Sequence, residues 1–334
     1  MKRKWLITGG CGFIGTSLVK KLLELEVEFV RIVDNLSVGT RADLAKVCKF
    51  TEHSPLAPET WGKTTSANPV ELIPGDILDG QLALNLTKGM DVIVHLAANT
   101  GVAPSVADPM ADCMHNVVGT LHYLEAARHA GCKHFVFASS GAVVGECIPP
   151  LHENLPSRPV SPYGASKMSG EAYCSAYHGS FGINTVALRF SNVYGPLSSH
   201  KNSLVARCIR RVMKGDHIEI FGDGTNTRDF LYIEDLVNAI LLSAKKEDVG
   251  GEAFQIATNE ETSVNDLVEK LMPVLHNAGY ADIKVIYEDK RTGDVMRNFA
   301  DTSKARTMLG WQPQTSLQEG LEKTMAYFMT NHQQ

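Results

Sequence analysis

The chain has 334 residues, 44% apolar and 21% charged, with a formal net charge of -5. That length exceeds what one hydrophobic core usually fills, so a main domain and a smaller companion are expected. Scattered charge gives no basic face for nucleic acid, no run approaches the roughly 18 apolar residues of a membrane span, and seven cysteines without paired or metal-type spacing argue against a disulfide framework or a metal site.

The first predicted strand, residues 4–8, lies directly behind Met1-Lys2-Arg3, which leaves no room for a secretion signal, so a cytoplasmic location is expected. It ends in glycines. Residues 13–25 then space their apolar side chains on one helical face, and 29–33 supply a second strand, completing a β-α-β unit. The alternation returns as a strand over 91–97, a helix over 116–130, a strand over 135–139 and, after a helix containing Tyr163, a strand over 184–189. Such alternation predicts an α/β fold of Rossmann type, a doubly wound parallel sheet covered on both faces. Past Pro196 the pattern loosens into a basic helix over 203–214, a strand over 218–221, a glycine-rich turn and mixed segments. Residues 1–190 are therefore expected to form the sheet domain and 191–330 mainly a smaller mixed α/β domain, with later segments, notably 255–257, rejoining the sheet. Residues 51–69, with Pro, His, Thr and Trp and no clear period, read as a surface insertion.

Gly9, Gly12 and Gly15 give G-x-x-G-x-x-G between the first strand and a helix starting near Phe13 and Ile14. Glycines so spaced allow a tight turn and close backbone approach, so that a pyrophosphate can rest on the helix N-terminus. A ligand-free turn can share the pattern. Asp34 favours binding: it lies about 20 residues on, at the tip of the next strand, where a carboxylate accepts hydrogen bonds from a ribose. Its charge repels a 2'-phosphate, and Asn35 rather than an arginine follows, so NAD is expected rather than NADP.

Tyr163 and Lys167 stand four apart at the start of a helical stretch and share a face. A phenol near pKa 10 is a poor base at neutral pH, but an adjacent ammonium and a bound nicotinamide cation favour phenolate. Chance pairs at this spacing are common; the preceding dinucleotide fold and a strand-end serine give this one its weight. That serine, Ser140, closes a predicted parallel strand, where open sheets bind ligands. It is placed to hydrogen-bond a hydroxyl being oxidised, with Ser139 packed or supporting.

In chain order, the segment 8–15, Asp34-Asn35, Gly75-Asp76-Ile77, His95-Leu96-Ala97-Ala98, Asn116, the serine segment, Tyr163 to Lys167, the segment 189–196, Gly222-Asp223-Gly224 through Arg228-Asp229-Phe230, and Arg291-Thr292-Gly293-Asp294 carry a resemblance over nearly the whole chain. It resembles the extended short-chain dehydrogenase/reductase family, and within it the NAD-dependent nucleotide-sugar epimerases and dehydratases related to UDP-galactose 4-epimerase. The resemblance implies NAD held by Gly9, Gly12, Phe13, Ile14, Gly15, Asp34, Asn35, Asn116, Tyr163 and Lys167. It also implies that Asp76 and Ile77 line the adenine pocket and that Ala97 and Ala98 pass beneath the pyrophosphate. Ser140, Tyr163 and Lys167 would be catalytic. Asn192, Arg228 and Arg291 would contact the diphosphate of a UDP-sugar, which suits the match of guanidinium forks to phosphate oxygens. A homodimer through helices near Met114 and Tyr173 is implied in the same way.

Members of the family begin alike: the tyrosine takes the proton of the sugar C4 hydroxyl while C4 gives hydride to NAD, leaving a 4-ketone. Dehydratases carry an Asp-Glu pair directly after the active-site Ser or Thr, and UDP-xylose-type decarboxylases usually have a glutamate two residues after it. Here those positions are Gly141 and Ala142, which move no proton. What survives is turnover of the ketone and return of the hydride to its other face, a 4-epimerisation. UDP-glucose, its N-acetylamino derivative and UDP-glucuronate are the candidate substrates. The alternatives are a lyase or reductase of the same family with an acid/base group elsewhere, and a non-catalytic NAD sensor, against which Ser140, Tyr163 and Lys167 speak. Two positions depart from the family pattern. Val143-Val144-Gly145 has valine where tyrosine is frequent, and Asn298 aligns with a tyrosine that restricts the C2 substituent in some epimerases, leaving room for an N-acetyl group.

Overall fold

The computed structural model describes residues 3–64, 68–198, 203–290 and 295–331. Two compact units are built from Met1–Gly145, Leu155–Arg189 and Ala239–Phe254, and from Glu146–Asn154, Phe190–Asn238 and Gln255–Gln334.

The sheet runs through β1 (Lys4–Thr8), β2 (Phe29–Asp34), β3 (Thr51–Glu52), β4 (Val70–Pro74), β5 (Val92–His95), β6 (His134–Ser140), β7 (Asn184–Phe190) and a last strand, Glu252–Ile256. Their order is last strand, β7, β6, β5, β1, β2, β4, β3. The β1/β2, β1/β5, β2/β4, β3/β4 and β5/β6 pairings are parallel. The sequences explain this arrangement: β2 and β5 are buried along their whole length, as strands covered on both faces must be. The order reverses beside β1, between β2 and β5, which makes the carboxyl ends of β1 and β5 the crevice where such sheets take ligands.

The helices are α1 (Phe13–Glu24), α2 (Arg41–Ala45), α3 (Gly80–Leu86), α4 (Val102–Ala107), α5 (Pro109–Cys113), α6 (Gly119–Ala130) and α7 (Pro162–Phe181). The helix expected from residue 116 becomes α-helical only at Gly119, because Met114–Val118 form a π-turn between α5 and α6. Pro162 opens α7 behind Ser161, whose side chain accepts the Gly164 N–H, and Gly182 ends it with φ 68°. Phe135 and Phe137 of β6, Tyr123 and Leu124 of α6, and Tyr177 of α7 share one core.

The first two residues of the insertion join the sheet. Residues 51–52 pair with β4, and the strand is braced by Glu71, fully buried in mid-β4, which meets Arg31 Nε at 2.5 Å and accepts the Gly62 N–H at 2.7 Å. The segment that rejoins the first unit is Ala239–Phe254 rather than 255–257, and of the expected residues only 255 and 256 lie in the sheet strand Glu252–Ile256.

In the second unit, Asn192–Tyr194 pairs with Phe230–Tyr232, Ile218–Phe221 with Val285–Glu288, and Thr227–Arg228 with Thr262–Ser263. Helix α8 (Leu204–Met213) is the basic helix expected over 203–214. Among the described residues no helix is long and apolar enough to cross a membrane.

Candidate active site

Gly9 turns the chain out of β1 with φ 69°, and a Cβ there would lie 2.9 Å from Ala97 N, so the turn presses on the segment after β5. A Cβ at Gly15 would lie 2.5 Å from Gly9 O, so α1 presses on the same turn. Gly12 offers α1 no side-chain cap, and its first turn, Phe13, Ile14 and Gly15, holds no acidic residue. A helix start of this kind suits an anion. Asp34 ends β2, with Oδ2 accepting the Cys11 N–H at 2.9 Å and Oδ1 the Leu36 N–H at 2.8 Å. Burial pushes its carboxyl up, and these two bonds oppose the shift. Asn35 Nδ2 donates to Asp76 Oδ2 at 3.0 Å, whereas the Ile77 side chain is buried in the core with Cδ1 2.7 Å from where a Gly119 Cβ would lie. A glycine cradle, a helix start and a strand-end carboxylate together fit a dinucleotide.

Leu96 and Ala97 are held by Thr8, which is itself bonded to His95. Thr8 Oγ1 accepts the N–H groups of Leu96 and Ala97, both at 3.1 Å, so its own proton goes to His95 Nδ1 at 2.9 Å. Thr120 Oγ1 donates to Asn116 O at 2.6 Å and lies 3.2 Å from His95 Nε2, which assigns the ring proton to Nε2. Burial, with the Lys167 charge adding, lowers the His95 pKa to about 3 and keeps this buried ring neutral.

Tyr163 lies in the first turn of α7 and Lys167 one turn further, with Lys167 Nζ 5.9 Å from the Tyr163 ring centroid and 5.0 Å from that of Phe137. Ser140 ends β6, and its Oγ accepts the Ala142 N–H at 3.2 Å. The structure therefore brings the three residues together. Burial lowers the Lys167 pKa to about 8, opposed by Asp112. Burial also raises that of Tyr163, with Asp112 adding and a hydrogen bond with Ser140 opposing. An adjacent ammonium and a bound nicotinamide cation are expected to favour phenolate; in the chain by itself burial raises the Tyr163 pKa. Ser139 is the supporting residue, donating to Glu171 Oε1 at 2.5 Å, while Arg189 binds the same carboxylate at 2.9 and 2.7 Å.

Asn116 lies on the π-turn, a distortion frequent at functional sites. Its Oδ1 accepts the Asn99 N–H at 2.8 Å, and Nδ2 lies within 2.9 to 3.1 Å of Asn99 O, Asp112 Oδ1 and Ser166 Oγ. An amide with these protein partners positions the loop and α7.

The Lys167 shift carries a stability consequence. Its pKa in the folded protein, about 8, lies below the ordinary lysine value of 10.5, so burying the charged form is costly at neutral pH. In the protein freed of dinucleotide the unfolded chain binds the extra proton between the two values, so resistance to urea is expected to rise with pH from about 8 toward 10.5. Lys167→Met should lack that rise, whatever its stability at neutral pH. Unfolding midpoints of both proteins measured across that range check this; the same rise in the two counts against it.

In the second unit Asn192, Arg207, Phe221, Asn226 and Arg228 line a cavity of about 140 Å³. Arg228 Nη1 donates to Thr227 O and Val295 O, both at 2.7 Å, and the Arg207 guanidinium lies 5.2 Å from the Phe221 ring centroid. Two guanidinium groups at one cavity suit phosphate oxygens. Arg207, Phe221 and Asn226 were not among the residues expected at the site, although the basic character of helix 203–214 was a signal. Asn298 is half-buried in this unit, and Arg291 lies outside the described residues.

A Rossmann-type sheet with this glycine turn, strand-end carboxylate and Ser-Tyr-Lys cluster defines a dinucleotide-dependent enzyme class. Residues 5–257 match the NAD dependent epimerase/dehydratase family, and the chain belongs to it. It is 35% identical over 333 residues to the UDP-glucose 4-epimerase of Mycolicibacterium smegmatis, covering 98% of this chain and 99% of that protein. The crystal structure of Thermotoga maritima UDP-glucose 4-epimerase with UDP-glucose matches with a TM-score of 0.85 and 34% identity, over 98% of this chain and 99% of that one. The dTDP-glucose 4,6-dehydratase of Streptomyces venezuelae, solved with NAD bound, matches with a TM-score of 0.85 and 29% identity, over 99% and 98%. NAD is the cofactor of the family, in line with the expectation from Gly9 to Asp34.

Proposed function

We propose that the chain is a 4-epimerase of a UDP-sugar, with Ser140, Tyr163 and Lys167 as its catalytic residues. The observation that carries this reading is the turn Gly141–Val143, which follows Ser140 directly and supplies no acid or base beside the clustered pair. NAD supplies a reversible hydride acceptor. Tyr163 takes the proton of the C4 hydroxyl and later returns it, Ser140 steadies that hydroxyl, and Lys167 stabilises the phenolate. Because the chemistry restores every group, no second substrate is consumed.

The cavity containing Asn192, Arg207 and Arg228 supports recognition of the diphosphate, with Arg291 assigned there by resemblance. Asn298, smaller than tyrosine, supports acceptance of a 2-acetamido sugar beside UDP-glucose and UDP-glucuronate. Exposed Val106, Met110, Met114 and Tyr173, carried by α4, α5, the π-turn and α7, support a homodimer through these helices. A cytoplasmic location completes the proposal.

Incubation of the purified protein, without added cofactor, against a panel of UDP-hexoses, with products identified by NMR, tests it. Interconversion of a C4 pair at conserved mass is expected. Loss of water or carbon dioxide would overturn the epimerase reading.

A further inference from the structure

Asp112 lies on α5, one helical turn before Asn116, and is 1% exposed. Its Oδ1 accepts from Asn116 Nδ2 at 3.0 Å, while its Oδ2 is enclosed without a hydrogen-bond partner. The same Asn116 amide lies 3.1 Å from Ser166 Oγ, which donates to the Tyr163 carbonyl at 3.0 Å. Asp112 is thereby linked through Asn116 to the turn of α7 between Tyr163 and Lys167. A buried carboxylate with one oxygen unsatisfied is costly unless a positive charge compensates it. Lys167 is buried on α7, and α5 packs against α7.

We propose that Asp112 is a positioning residue of the epimerase: it is the counter-charge of the Lys167 ammonium, and through Asn116 and Ser166 it braces the Tyr163 turn. The assignment rests on the reading of Tyr163 and Lys167 as the catalytic pair.

Other groups around the pair are already engaged. His95 of β5 is neutral and bonded at both nitrogens, to Thr8 and Thr120. Arg189 of β7 is paired with Glu171 of α7. Glu125 of α6 bonds Arg128 of the same helix and Tyr177 at the far end of α7. On the π-turn His115 Nδ1 meets Ala111 O, Cys113 just before it is exposed, and α4 carries no titratable side chain. The Asp112 charge acts on both members of the pair, raising the pKa of Lys167 and of Tyr163.

Without the Asp112 charge, both ionisations move to lower pH. Tyr163 reaches phenolate earlier on the acidic limb, and Lys167 loses its proton earlier on the alkaline limb. In the NAD-loaded protein, Asp112→Asn is therefore expected to shift the whole kcat–pH profile toward acid, the variant-to-parent ratio falling several-fold from the acidic to the alkaline limb. Asp112→Glu, which keeps the charge, should retain the parent profile.

A second measurement does not need turnover. The near-ultraviolet absorbance of the Tyr163 phenolate, taken as the difference from Tyr163→Phe in each background, should show its midpoint at lower pH in Asp112→Asn. A pH-independent kcat ratio together with an unmoved midpoint would overturn the proposal, because a purely structural residue changes the level of activity and not its profile. If the parent interconverts no C4 pair, the epimerase reading fails, and the absorbance midpoint still decides the place of Asp112. Should Asp112→Asn not fold, Asp112→Ser, which leaves an acceptor for Asn116 Nδ2, is read in the same way.

Discussion

Tyr163→Phe is expected to lower kcat for C4 interconversion by at least about a hundredfold, the low end of what a positioned general base contributes. The substitution removes one hydroxyl and keeps the ring, so the Lys167 contact at 5.9 Å and the start of α7 remain. His95, Ser140, Gly141 and Ala142 do not take over the proton. His95 has both nitrogens bonded and a pKa lowered to about 3, Ser140 is a hydroxyl without an adjacent base of its own, and Gly141 and Ala142 carry no titratable group. Because proton transfer belongs to the transition state, KM should change far less than kcat. Steady-state kinetics, with the bound dinucleotide of both proteins quantified, makes the comparison. A kcat within a few-fold of the parent would remove Tyr163 from the mechanism.

How much of this was legible in the sequence depends on how local each signal is. The glycine turn, Asp34 and the Tyr163-Lys167 spacing were readable because each fits inside one turn, one β-α-β unit or one helical turn. Strand β4 escaped because Glu71 interrupts its apolar run; the interruption is compensated by Arg31, 40 positions away, which no periodicity reports. The edge strand at 51–52 escaped with it, since it has only β4 to pair with.

The same holds within the site. Thr8 and His95 are 87 residues apart and share one hydrogen bond, so the hub beneath Ala97 becomes visible only once β1 and β5 are neighbours. Asn116 was readable as a site residue but not as a clamp, because the π-turn that aims its amide at Asn99 and Ser166 leaves little trace in apolar spacing. Arg207 was visible only as part of a basic helix; its place beside Arg228 depends on chain segments outside that helix.

Gly15→Ala is expected to weaken NAD binding by about a hundredfold while leaving a folded protein. The added Cβ would meet Gly9 O at 2.5 Å and Gly10 Cα at 2.6 Å, and backbone atoms cannot rotate aside as a side chain could. Helix α1 cannot readily withdraw either, because Leu18, Val19 and Leu22 are buried beneath it. The turn has to move instead, yet it is already wedged against Ala97 N at the left-handed Gly9. Local strain of this kind costs about 1–3 kcal/mol, and every 1.4 kcal/mol lost from the dinucleotide-binding conformation is about tenfold in affinity. The loss should appear as protein purified without dinucleotide, with epimerase activity returning as NAD is added in excess, which separates weak binding from misfolding. Gly179→Ala, where a Cβ meets nothing within 4 Å, is the neutral control. Retention of NAD by Gly15→Ala at the parent level would show that the turn yields more easily than its packing implies.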